Sequence, residues 1–116
     1  MAYDEQLADR IRALAADEPG LGEQKMFGGL AFLVNGNMAV AASGQGGILV
    51  HVDPEESDAL LARTKATLME MRGRSMRGWL RVDAEHLRTK RQLAPWVDRG
   101  AAFARSLPPK RDRGAR

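Results

Sequence analysis

The residues with the clearest potential for chemistry stand together near the middle of the chain, where a histidine is followed by two acids. His51 and Asp53 are two positions apart, which puts both side chains on one face of a strand, and Glu55 follows them. Such groups could bind a metal, but zinc needs three or four converging donors and the only other histidine is His86, beside Glu85. A strand histidine with one structural hydrogen bond accounts for His51 more simply.

Catalysis is not supported by the remaining polar residues. Ser43, His51 and Asp53 could be arranged as a triad, but the glycine pattern of a nucleophile elbow does not surround the serine. No two carboxylates have a spacing suited to general acid–base work. The chain has no cysteine, which excludes disulfides, thiolate metal sites and cysteine nucleophiles. We therefore expect a protein that is not an enzyme and that uses no cofactor.

The glycine-rich loop at residues 43–47 does not have the context of a phosphate-binding loop. Gly44, Gly46 and Gly47 precede a predicted strand, whereas a phosphate loop follows a strand and opens a helix, whose N-terminal amides bind the anion. The Gly-Lys-Ser/Thr sequence of the P-loop is also missing. Nucleotide binding is not expected there.

Charge is distributed unevenly along the chain. Residues 63–91 hold nine basic and three acidic side chains, whereas residues 1–24 hold six acids and two bases. This polarity could steer an acidic partner, or let one subunit complement another. Nucleic acid is an alternative partner, bound weakly and in a salt-dependent way. The candidate contacts are Arg72, Arg74, Arg77, Lys110, Arg111 and Arg113.

A predicted order of elements positions these residues: helix, three or four strands, helix, two strands, helix. The hydrophobic spacing predicts helices at residues 4–16 and 53–63 and a last helix that starts near Thr89 and ends before Pro108. Pro95 would interrupt the second turn of that last helix. Strands are predicted at residues 23–26, 30–34, 37–42, 48–52, 68–71 and 79–82, and the basic stretch 72–78 is expected to connect the last two.

The first hairpin is the strongest local signal. Asn35 and Gly36 tolerate the positive φ angles of a type I′ turn. Gly28 and Gly29, between two strands, indicate a bulge or a close backbone approach that leaves no space for a side chain. We expect both pairs to have a structural role.

These elements predict a two-layer α+β domain, an antiparallel sheet with helices on one face (α-β3-α-β2-α), over residues 1–107. Residues 108–116 are expected to form a disordered basic tail. The face of the sheet opposite the helices must also be shielded from water. Methionines near the strands, among them Met26, Met38 and Met69, could provide this shielding by core packing or by pairing two subunits, and neither is favoured.

Nothing in the chain predicts export or membrane insertion. No run approaches the roughly 18 apolar residues of a membrane span, and the N-terminus lacks a basic-then-apolar signal pattern. We expect a cytoplasmic protein.

The stretch Lys25-Met26-Phe27-Gly28-Gly29, continued to Asn35-Gly36, resembles the signature of the TfoX/Sxy N-terminal domain family, and the final helix from Trp96 to Leu107 fits as well. The likeness covers about residues 2–109, as in a stand-alone domain. It implies a fold similar to type III secretion chaperones, a tendency to dimerise, and a link to natural competence, in which full-length regulators assist a DNA-binding transcription factor. It carries over no catalytic residues.

The expected function is therefore that of a non-enzymatic regulatory or adaptor domain. It would form a homodimer and bind another protein, with a transcription factor as the candidate partner. The alternatives are a nucleic-acid-associated module that uses residues 72–91 and the tail, and a small-molecule-binding domain centred on His51.

Overall fold

Capping side chains fix where the helices begin. The computed structural model describes residues 3–26, 28–71 and 73–109. Asp4 accepts hydrogen bonds from the backbone N–H groups of Gln6 (3.0 Å) and Leu7 (3.1 Å), and Asp53 accepts one from Glu55 (2.9 Å). The three α-helices of these residues are α1 (Glu5–Leu14), α2 (Pro54–Arg63) and α3 (Lys90–Ser106).

The last helix confirms Thr89 as its cap and continues through Pro95. Thr89 and Gln92 form a capping box, in which each side chain bonds the backbone N–H of the other residue. Pro95 removes one backbone hydrogen bond near the start of α3 without ending the helix. The buried stripe beyond it, which includes Trp96, Val97 and Ala104, packs on the sheet and outweighs that loss.

The sheet is antiparallel and six-stranded, in the order β1-β2-β3-β4-β6-β5, which confirms the predicted α+β class. Four strands precede α2, one more than the α-β3-α-β2-α order, because residues 48–51 pair with both β3 and β6. A short 3₁₀ helix, Ala84–His86, follows the last strand. The strands are β1 (Leu21–Met26), β2 (Gly29–Val34), β3 (Asn37–Ala42), β4 (Ile48–His51), β5 (Thr67–Met71) and β6 (Arg74–Val82).

The prediction that residues 72–78 only connect two strands is wrong for the described part of that stretch. β6 already begins at Arg74, and Met76 pairs with Met69 of β5. Gly78, which suggested a loop, lies inside β6 with a φ of 90°, next to a shift of register in the β5–β6 pairing. A glycine in a strand marks such an irregularity as often as it marks a turn.

The main core lies between one sheet face and the three α-helices. Its largest fully buried side chains include Ile11 of α1, Phe32 of β2 and Leu93 of α3. At Gly100, α3 comes so close to β3 that an added Cβ would overlap the carbonyl oxygen of Ala39. The close contact is possible only because this position of the helix has no side chain.

Two polar contacts hold the edges of this layer. Asn37 is buried at the start of β3 and its amide donates to the carbonyl oxygen of Pro108 (3.0 Å), just after α3. On the surface, Arg12 of α1 forms a bidentate pair with Glu23 of β1, at 2.6 and 2.9 Å. These hydrogen bonds favour the carboxylate and lower the pKa of Glu23. The pair therefore stabilises the fold above the usual glutamate pKa, and this contribution is lost as the pH falls through the lowered value.

We predict that Gly100→Ala destabilises the domain. An alanine in an unobstructed helix is favoured over glycine by up to about 1 kcal/mol, but here its methyl group must push α3 away from β3, and overpacking of this kind costs about 1–3 kcal/mol. Urea unfolding followed by circular dichroism measures the change. The matched control is Gly22→Ala, where nothing lies within 4 Å of the new methyl group. A control loss equal to that of Gly100→Ala would contradict the steric explanation.

Candidate interaction surface

The side of the sheet opposite the α-helices, here called the open face, is mostly apolar. Strand pairing puts Ala31 of β2 beside Ala41 of β3, and Ala41 beside Leu49 of β4. His51 and Trp79 are paired further along the same face. Polar side chains, among them Gln24 and Arg81, lie toward its margins.

Long side chains on the open face cover short ones. Ala31 is fully buried, and Ala41 and Leu49 are 7% exposed, although none of the three described α-helices contributes to their cluster. They form a second apolar cluster whose covering side chains are themselves half-buried. The covering residues are Met26, Leu33, Met38, Met69 and Trp79. These methionines pack over the cluster, as the core-packing prediction has it, and still present apolar surface to solvent.

The open face is concave. Met26 on edge strand β1 and Met69 on the opposite edge strand β5 line the same cavity, which has a volume of about 100 Å³. Met38, Ala41 and Leu49 lie between them and complete its apolar wall. We call this space the methionine cavity. Two edges of a six-stranded sheet can share such a small space only if the sheet curves toward the open face.

Arg81 gives the methionine cavity a positively charged side. Its Nη1 donates to the hydroxyl oxygen of Ser43 (3.2 Å) and its Nη2 donates to the carbonyl oxygen of Gly46 (3.3 Å). Both acceptors are neutral, and within residues 3–26, 28–71 and 73–109 Arg81 makes no ion pair. The guanidinium group is thus fixed in place while its charge remains available. Glu70, exposed on β5, lines the same cavity.

His51 is part of an aromatic cluster at the end of β4. Its ring stacks on Trp79 with centroids 3.8 Å apart and an interplanar angle of 8°. Phe103 of α3 meets it edge-on, with centroids 4.9 Å apart, and its Nδ1 is 3.3 Å from the carbonyl oxygen of Met38. These contacts hold the half-buried ring in place, and the contact with Met38 is the structural hydrogen bond that the simpler interpretation of His51 predicted.

The other polar residues singled out by the sequence do not converge on His51. Asp53 caps α2, and the Ser43 hydroxyl is engaged by Arg81 and by the backbone N–H of Gln45 (3.1 Å). Across the described residues no group of three or more histidine, aspartate and glutamate side chains could hold a metal ion. His86 lies in the 3₁₀ helix, with its Nε2 3.5 Å from a carboxylate oxygen of Glu85.

The glycine motif has the backbone geometry expected of it. Asn35 and Gly36 have φ angles of 54° and 84°, as a type I′ turn requires. Gly28 has a φ of 76° with open space around it, and a Cβ on Gly29 would overlap the carbonyl oxygen of Ala42. The close approach is confirmed at Gly29, whereas Gly28 supplies the turn. Lys25 is exposed on β1, Met26 lines the methionine cavity, and Phe27 lies outside the described residues.

The candidate nucleic-acid contacts are only partly within the described chain. Arg74 and Arg77 are exposed on β6, and neither side chain forms an ion pair with another described residue. The other four, Arg72, Lys110, Arg111 and Arg113, lie outside the described residues.

Two features of the surface were missed by sequence reasoning. One is the pairing of Arg81 with the loop at residues 43–47, which joins positions 35 and 38 residues apart. The other is a wide groove of about 470 Å³ between α2 and α3, with Phe103 in its wall and the ion pair of Glu56 and Arg99 (2.8 Å) at its margin. Neither has a local motif, because each depends on how distant elements meet.

The sequence matches the TfoX N-terminal domain family over residues 13–104, which is most of the 116-residue chain. The chain therefore belongs to this family, as its Met-Phe-Gly-Gly motif and final helix indicated. No curated protein was found to match it. Among the described residues, no helix is long and apolar enough to cross a membrane.

If the second cluster is a true packing core, Leu49→Ala should cost about 2–4 kcal/mol of unfolding free energy, as expected for a buried leucine. Leu33→Ala on the same face is the matched control, and it should cost less because Leu33 is half-buried. Urea titration of both variants measures the difference. Equal and small losses would show that the open face is held loosely.

Proposed function

We propose that this protein is a non-enzymatic regulatory domain of the cytoplasm that acts by binding other proteins through its open face. The observation that carries the proposal is an apolar sheet face whose central cluster is covered by no described helix but by five half-buried side chains. Contiguous apolar surface on a soluble domain is characteristic of interaction sites. Family membership supports a role in regulation of the competence type, with a transcription factor as the partner class.

A second copy of the chain is the first partner that we propose. Two open faces that meet around Leu33 and Met38 would bury apolar surface on both subunits by one symmetric contact. The area around these two residues carries no charged side chain in the strand pairing, so like charges do not oppose each other there. The homodimer would then present two identical sites to a further partner.

The dimer is tested with Met38→Lys, which places a charge in the proposed contact. Light scattering coupled to size exclusion should give a dimer for the wild type at tens of micromolar and a monomer for the variant. The lysine stem can cover the same apolar neighbours while its amine reaches solvent, so the fold should persist. The matched control is Ala59→Lys on the exposed side of α2, which should remain dimeric. A wild type that stays monomeric at hundreds of micromolar would refute the homodimer.

A nucleic-acid-associated module is the second candidate. It is favoured by Arg74 and Arg77 of β6, which are exposed and form no ion pair with another described residue. Fluorescence anisotropy with a short labelled DNA duplex should then show an affinity that falls steeply as salt rises. Arg74→Gln and Arg77→Gln should each lower the slope of log affinity against log salt by about 1. Arg10→Gln, which removes an arginine of helix α1 outside the proposed contact, should leave the slope unchanged. No binding at low salt would eliminate this candidate.

A further inference from the structure

We propose that the methionine cavity binds one apolar side chain of a partner polypeptide, and that Arg81 pairs with a carboxylate beside that side chain. The inference rests on the proposed protein-binding function and names the chemistry of the partner. The proposed dimer contact around Leu33 and Met38 adjoins the cavity, and Met38 belongs to both; Arg81 and Glu70, which lie outside that contact, therefore test the inference separately from the homodimer. Three properties of the methionine cavity support the inference: its volume, the composition of its wall and the charge beside it.

The volume of the cavity suits a single side chain. A cavity of about 150 Å³ lined by apolar groups holds benzene, so the 100 Å³ here leaves room for a branched aliphatic group but not for a helix or a lipid chain. Three of its wall residues, Met26, Met38 and Met69, are unbranched and adjust their shape to what they contact. Interfaces draw much of their affinity from one such buried anchor.

The positive charge of Arg81 beside the cavity favours a partner in which an acidic residue lies next to the apolar side chain that fills the cavity. Arg81 uses one hydrogen of each Nη atom for Ser43 and Gly46, and a guanidinium has five N–H donors. Three remain, in the planar arrangement that binds a carboxylate through two parallel hydrogen bonds. Because the first two bonds already hold the group in place, little side-chain entropy would be lost on binding.

Glu70 provides the opposing charge and a built-in control. It lines the same cavity but forms no ion pair with Arg81 at up to 4 Å. Its carboxylate would repel the acid of the partner, so removing its charge should strengthen binding. Neutral substitutions of Arg81 and Glu70, two charged residues at one cavity, are therefore expected to have opposite effects on the affinity for the partner.

The probe is a library of random peptides displayed on phage and selected against the full-length protein. We expect enrichment of sequences with an aspartate or glutamate within two positions of leucine, isoleucine or methionine. Synthetic copies of the enriched peptides are then measured by anisotropy. Arg81→Gln should weaken them about ten- to a hundredfold, and Glu70→Gln should strengthen them about two- to fivefold.

Filling the cavity tests the anchor independently of charge. Ala41→Leu places a larger side chain in the cavity wall and should abolish binding of the enriched peptides. Arg74→Gln is the matched control, since it removes an exposed arginine from the same strand as Arg81 without touching the cavity. Arg81→Lys keeps the charge and should retain part of the affinity. Thermal unfolding of each variant establishes that it is folded.

Three outcomes would overturn the inference. Enriched peptides without an apolar–acidic pair, or peptides whose affinity is unchanged by Arg81→Gln and Ala41→Leu, would show that the protein binds polypeptides elsewhere, which leaves the proposed function standing. Failure to select any peptide would count against both this inference and the proposed protein-binding function. A change in dimerisation with Ala41→Leu and Arg81→Gln would instead assign the cavity to a second copy of the chain.

Discussion

A single sheet has two faces, and three helices on one side can cover only one of them; most features of this protein result from that constraint. The helix-covered face has large aliphatic and aromatic side chains such as Phe32 and Leu80. The other face has alanines at its centre, Ala31 and Ala41, covered by longer side chains from the neighbouring strands. Small residues let the sheet curve, and the flexible methionines then reach across the curve. The second face is partly closed without a second layer.

The helix-covered side depends on a close fit between α3 and the middle strands. Gly100 brings the helix axis near β3, and the capping box at Thr89 fixes where the helix begins. Between these two points the helix tolerates Pro95. Local propensity is therefore secondary in α3, where contact with the sheet determines the conformation.

Sequence reasoning succeeded where the signal is local. The caps Asp4, Asp53 and Thr89, the Asn35-Gly36 turn and the central strands can be inferred from side-chain chemistry within a few residues. It was wrong about Arg74–Gly78, because a positive-φ glycine inside a strand has the same sequence signature as a loop. The candidate interaction surface was predictable only in part. Methionine near the strands indicated an apolar face, but the contact of Arg81 with Ser43 depends on the order in which β4 and β6 pair.

The buried amide of Asn37 has a practical consequence for handling the protein. By holding the carbonyl oxygen of Pro108, it fixes the segment that follows α3 beside the Asn35-Gly36 turn. Asn37 pairs with Val34, a residue of the helix-covered core. A fluorophore, affinity handle or surface linker attached after Pro109 would therefore start from the helical side, and an immobilised domain would keep its concave face turned toward the solution.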